Sequence, residues 1–145
     1  MKGERSMRAR KIESGYFLRL ERGEEIVSTI LDFVAKEKIQ AGTVSGIGAL
    51  NDVTLGFFDR RSKQYLKETF TDVYELLSLL GNISYVDAKP ILHAHCVLGR
   101  ADFSVLGGHL FSGQVAVTGE FYIRVFPEKF SRSMNDDFSL NLLDF

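Results

Sequence analysis

The chain contains one cysteine, no tryptophan and no apolar run long enough to cross a membrane. A single thiol cannot close an internal disulfide, so the expected setting is a reducing, cytoplasmic one. No stretch combines the charged start and short apolar core of a secretory signal. Neither sign of charge prevails: 18 basic and 19 acidic residues give a formal net charge of -1 and a pI near 6.3. A domain that grips nucleic acid over a broad surface is normally basic. The totals therefore argue against DNA binding by the whole domain and leave room only for a local patch. Gly46 and Gly48 do not make a phosphate loop, because the lysine and the helix signature that should follow are missing. The 12 phenylalanines, set against no tryptophan, have no physical account.

What is present suits one globular domain: 145 residues, 45% apolar and 26% charged. Residues 1–9 are expected as a flexible basic arm, since MKGERSMRARK holds five basic residues and one acid. The domain is expected over residues 10–127, and residues 128–145 form a polar-then-apolar tail able to dock on it. GYFLRLERG reads as a strand and turn. EEIVSTILDFVAKEKI has the one helical pattern, with Ile26, Val27, Ile30, Leu31, Phe33 and Val34 on a broad face. Glu24 and Glu25 are placed in its first turn and Lys36 and Lys38 in its last, as the helix dipole prefers. Downstream, GTVSGIGAL and NDVTLGFFD read as short strands broken by glycine. KQYLKETFT, VYELLSLLGNISY, ILHAHCVLG, FSVLGGHLF and GQVAVTGEFYIRVF read as further strands. Turns are expected near Gly99–Asp102 and Ser112–Gly113, and Pro127 ends the last strand. The fold class is α+β: a mainly antiparallel sheet packed by one long helix.

Two of the three histidines stand in ILHAHCVLG. Side chains two apart on a strand share a face. Ile91, His93, His95 and Val97 therefore lie on one side, and Leu92, Ala94, Cys96 and Leu98 on the other. Two adjacent imidazoles repel if both are protonated and lack partners if buried alone. A divalent metal answers both problems, because it binds neutral imidazole. His109, in GGHLF on the next strand, comes near if the two strands pair. His93, His95 and His109 then make a three-nitrogen site for zinc or a similar ion. The competing reading is three hydrogen-bonded structural histidines. Cys96 faces the other way and reads as a small buried apolar side chain.

GTVSGIGALNDVTLGFFD, YELLSLLGNIS and HAHCVLGRADFSVLGGHLFSGQVAVTGEFYI together resemble the PPC (plants and prokaryotes conserved) domain, over roughly residues 10–127. YELLSLLGNIS resembles the family's Phe-Glu-Ile-Leu-Ser-Leu-x-Gly core, and VLGGHLFSG its glycine-rich turn. The resemblance implies an antiparallel sheet packed with helix, assembled as a homotrimer. In land plants the domain follows an AT-hook in nuclear proteins that bind AT-rich DNA, while prokaryotic members are usually the domain alone. RARK at residues 8–11 lacks the Gly and Pro of such a hook, so DNA binding does not carry over directly. The plant domains lack histidines at these positions and the prokaryotic ones resemble this chain, which favours a separate, metal-based role.

Besides a pure scaffold, a trimer that presents a partner surface, two functional classes stay open. In one, three histidine ligands leave a position for water or an unknown small ligand, as in catalytic zinc, and the protein is a metal-assisted hydrolase or lyase. Glu120, which interrupts VAVTGEFYI, and Glu75, in YELL, are the candidate bases; each also reads as a surface or structural glutamate. In the other, the chain is a DNA-binding or transcription-associated assembly module without catalysis.

Overall fold

The computed structural model describes residues 6–145. In chain order the elements are β1 (Arg8–Ile12), β2 (Gly15–Glu21), α1 (Ile26–Lys36), β3 (Gly42–Asp59), β4 (Gln64–Phe70), β5 (Tyr74–Val86), β6 (Lys89–Gly99), β7 (Val105–Val125), β8 (Ser131–Asn135) and β9 (Leu140–Asp144). The pairings are antiparallel except β5 with β8, which makes the sheet mixed. Four strands form a ring: β3 pairs β5, β5 pairs β6, β6 pairs β7, and β7 returns to β3. Strand alternation then sorts side chains to the inside or outside of this closed surface. Leu50, Leu76, Leu79, Ile83, Leu98, Phe121 and Ile123 point inward and are fully buried. Helix α1 adds Ile26, Ile30, Phe33 and Val34 to the same core. No helix among the described residues is long and apolar enough to cross a membrane.

Four details depart from the sequence reading. The helix is short, at 11 residues. Glu25 is its N-cap, extended at φ -81, and its carboxylate accepts from the Val27 and Ser28 backbone N–H at 3.1 and 2.7 Å. Glu24 lies outside the helix and instead accepts from the Met7 and Glu21 N–H at 2.9 and 2.8 Å. Lys38 adopts φ 56, and Ile39 N–H donates to Val34 C=O at 3.0 Å, so a left-handed turn stops the helix before Lys38.

GTVSGIGAL and NDVTLGFFD are one 18-residue strand, β3. The glycines do not end it; the register slips by a bulge between Gly46 and Gly48 and pairing resumes. A Cβ at Gly46 would overlap the Phe121 ring, so the missing side chain is filled by a core aromatic. FSVLGGHLF and GQVAVTGEFYIRVF are likewise one strand, β7, of 21 residues, with no turn at Ser112–Gly113. Ladder register shifts there against β3, and the helix cap makes up for it. Gly113 N–H donates to Glu25 Oε1 at 3.0 Å, and Val115 N–H to Glu24 C=O at 2.9 Å. The basic N-terminal arm is in part strand, because Arg8 and Ala9 pair with Arg19 and Leu18 of β2. Residues 1–5 of that expected arm lie outside the described residues.

Beyond Pro127, β8 and β9 form a hairpin that joins the sheet through the Tyr85–Ser131 pairing. Tyr85 N–H donates to Phe130 C=O at 2.9 Å, and the Tyr85 hydroxyl donates to Ile39 C=O at 2.8 Å.

Gly46→Ala should lower stability by about 1–3 kcal/mol, through forced repacking of Phe121. Gly113→Ala, whose new methyl would meet Leu50 and Val53 at an ordinary 3.5 Å, should be neutral or stabilising by about 0.5–1 kcal/mol. Urea unfolding of the two variants checks this, and equal midpoints would remove the packing argument.

Candidate metal centre

The site begins at the turn between β6 and β7. Phe103 takes φ 68, Arg100 N–H donates to Ser104 C=O at 2.8 Å, and the Asp102 carboxylate accepts from the Ser104 N–H at 2.9 Å. That tight turn fixes the register, and the register sets His95 directly opposite His109. On the other edge of β6, His93 faces Asn82 and His95 faces Leu80 of β5. Leu92, Ala94, Cys96 and Leu98 point into the core, so all three histidines lie on the outer face.

One nitrogen from each of His93, His95 and His109 lies within 4.8 Å of the others. His93 Nε2 and His95 Nε2 are 3.2 Å apart. Two imidazoles on one tetrahedral zinc hold their nitrogens about 3.3 Å apart, from Zn–N bonds of about 2.0–2.1 Å. The pair already stands at that spacing. His109 Nδ1 is buried with no hydrogen-bond partner among the described residues, a deficit that a ligating cation would meet if this nitrogen binds it. The donor set therefore fits a divalent ion that accepts imidazole nitrogen.

The surroundings favour the neutral form of His109 and His93. His109 packs against Tyr65 and Phe111, with ring centroids 4.8 and 4.7 Å away. Gly56, opposite His109 on β3, makes room: a Cβ there would strike Phe111. Burial first, then the charges of His93, His95 and Lys67, push His109 down to about 4. Burial, then Arg132 and His95, lower His93 as well. Neutral imidazole is the form that binds a metal.

Arg132, from the C-terminal hairpin, reaches back to this face. Its Nε donates to Ser84 Oγ at 2.7 Å and its Nη2 to Asn82 Oδ1 at 2.8 Å. Nη2 also stands 3.4 Å from His93 Nδ1. Arg132, Tyr65, Asn82 and Lys67 carry no motif that marks them in the sequence. Asn82 follows from the β5–β6 register, but no local pattern marks the other three.

The structure brings the three histidines together and leaves the two glutamates elsewhere. Glu75 and Glu120 line a groove with Ile47, Leu77 and Val117, while His93 and His109 line a different cavity. The separation follows from register: Glu75 pairs with Ala49 and with Gly99 at the end of β6, whereas His95 pairs with Leu80, and Glu120 pairs with Arg19 and Ile47. Cys96 is buried and its thiol is pushed up to about 11 by desolvation, as suits a small apolar core residue.

The sequence profile of the Plants and Prokaryotes Conserved (PCC) domain matches residues 7–127. The chain belongs to that family. A solved Bacteroides thetaiotaomicron structure, described as a "putative dna binding protein", is 36% identical with a TM-score of 0.94, covering 97% of this chain and 99% of that one. A metal-containing protein from Archaeoglobus fulgidus is 36% identical with a TM-score of 0.83, covering 91% and 94%. A plant- and prokaryote-conserved protein from Pyrococcus horikoshii is 33% identical with a TM-score of 0.84, covering 100% and 97%. No curated protein matches the chain.

The lowered His109 gives a pH signature. Its folded value near 4 lies below the ordinary 6.5, so the unfolded chain binds more protons between those values and stability rises with pH there. In chelator, stability should be full above about pH 6.5 and decline as pH falls toward 4. His109→Gln should flatten that part of a urea-midpoint profile; an unchanged slope would remove His109 from the acid response.

Proposed function

We propose that His93, His95 and His109 hold a divalent metal ion, zinc being the first choice for an all-imidazole donor set. The observation that carries the reading is the convergence of three imidazole nitrogens within 4.8 Å on the outer face of a closed sheet. The metal-containing relative from Archaeoglobus fulgidus supports it. Bound there, such an ion would supply Lewis acidity to a ligand at its remaining position. The chain's own residues do the rest. Tyr65 and Phe111 wall off His109 from water, Gly56 admits them, and Arg132 is held beside His93 by its bonds to Asn82 and Ser84 of β5. If a reaction takes place, metal-assisted hydrolysis or lyase chemistry fits this donor set. Glu75 and Glu120 are outside the histidine cavity, and this reading gives them no part in it.

The protein acts as a cytoplasmic homotrimer in this reading. Support comes from the apolar outer face: Ile47, Leu80 and Val117 are 56, 65 and 67% exposed, and Ile47 lines the grooves that hold both other residues. Solvent is a poor neighbour for such a patch. DNA binding is the second reading, favoured by the description of the Bacteroides thetaiotaomicron relative.

Metal content of untagged protein should approach one ion per chain and vanish in His93→Ala/His95→Ala/His109→Ala, with circular dichroism confirming that the variant folds. No metal in a folded wild type would overturn the metal reading. If the same wild type then shifts AT-rich duplex in a salt-dependent way, the DNA reading takes its place.

Light scattering should give three chains per particle, and Leu80→Glu should dissociate them. A monomeric wild type would end the trimer assignment.

A further inference from the structure

We infer that the cavity between the histidine face and the β8–β9 hairpin is a binding site for a small carboxylate with a short apolar body, and that Arg132 is its anion clamp. The cavity measures about 200 Å³ and is lined by Tyr65, Ile91, His93, His109, Arg132 and Leu142, among others. No acidic side chain lines it. Arg132 is half-buried, yet it has no carboxylate partner among the described residues. A guanidinium taken out of water without a counter-charge is unfavourable, and an anionic ligand supplies that charge.

The group is held ready by neutral partners. Nε donates to Ser84 Oγ at 2.7 Å, Nη2 to Asn82 Oδ1 at 2.8 Å and Nη1 to Asn141 C=O at 3.1 Å. A guanidinium has five N–H bonds, so Nη1 and Nη2 each keep one more. The further Nη2 hydrogen is directed at His93 Nδ1, 3.4 Å away. Here the inference rests on the metal reading. His93 Nε2 is the nitrogen that faces His95, so ligation through it leaves the ring proton on Nδ1. Nδ1–H and Nη2–H are then two donors facing each other with no acceptor. A carboxylate oxygen is an acceptor for both, and its second oxygen can take the remaining Nη1–H.

The rest of the lining chooses among anions. Val86, Ile91, Leu140 and Leu142 offer hydrocarbon, which suits the tail of an aliphatic acid and gives nothing to inorganic phosphate. The hairpin supplies Arg132, Asn141 and Leu142 together, so the ligand would be enclosed by the C-terminal segment.

The test is imidazole and backbone NMR of zinc-loaded and chelator-treated protein, titrated with sodium butyrate, butyramide or inorganic phosphate. Butyrate should shift the His93 nitrogens saturably in the zinc-loaded protein, and butyramide should not. Arg132→Gln should weaken butyrate at least about tenfold, the loss of a charge-assisted hydrogen bond. The amide signals of Ser131 to Asn135 must stay in place, to show that the hairpin is still docked. Leu142→Trp, which fills the cavity and leaves the Arg132 bonds intact, should weaken butyrate as well. Equal binding of butyrate and butyramide, binding of phosphate alone, or wild-type butyrate affinity in a docked Arg132→Gln protein would each overturn the proposal. Zinc bound one per chain with no butyrate response would sink the carboxylate site and spare the metal reading. Butyrate bound through Arg132 in a protein that takes up no zinc would do the reverse.

Discussion

The pairing of β6 with β7 governs both the fold and the site. It runs from Gly99–Val105 at the turn to His95–His109, and it is the link that closes the ring of β3, β5, β6 and β7. A one-residue slip of β7 in that ladder would send Leu110 outward and His109 inward. The hydrophobic side chains hold the register against that slip, so the energy that buries the core also positions the imidazoles. The Asp102–Ser104 turn makes the register local, since it joins the strands at one end through bonds between residues two apart in the chain.

Glycines serve this arrangement by giving their space to aromatics. Gly46 yields to Phe121 on the inside of the ring, and Gly56 yields to Phe111 and Tyr65 on the outside. The first keeps the interior filled where β3 bulges. The second builds the wall around His109 that keeps its ring neutral. Both depend on strands lying side by side that are far apart in sequence.

Charge is handled differently on the two outer grooves. Glu75 and Glu120 sit among Ile47, Leu77 and Val117, while the histidine cavity holds Arg132 and no acid. Separating the carboxylates from the imidazoles leaves the histidines free of an internal anion. It also leaves Arg132 leaning on neutral oxygens of Ser84, Asn82 and Asn141. A site built in this way is electropositive without being basic overall, which is why a chain with net charge -1 can still offer a cationic cavity.

The strand alternation of ILHAHCVLG was enough to put His93 and His95 on one face and Cys96 on the other, because parity is a local property of an extended chain. The His-x-His spacing and the nearby His109 made the cluster legible, and the helix was legible from its periodic apolar face. The helix ends were not, because Glu25 caps the first turn with its carboxylate and Lys38 stops the last by its left-handed φ, and the apolar periodicity encodes neither. Nor was the continuity of β3 and β7, where glycine reads as a break and the partner strand turns it into a bulge. Glu120 and Glu75 looked like bases only because distance from the histidines is set by register and not by sequence. Arg132 was invisible for the same reason: it is 39 residues from His93 along the chain and 3.4 Å from it in space. The sequence alone determined which side chains share a face and which must be buried. Which faces meet was decided by the closed sheet and the returning hairpin, since long-range pairing depends on how the whole apolar surface can be covered at once.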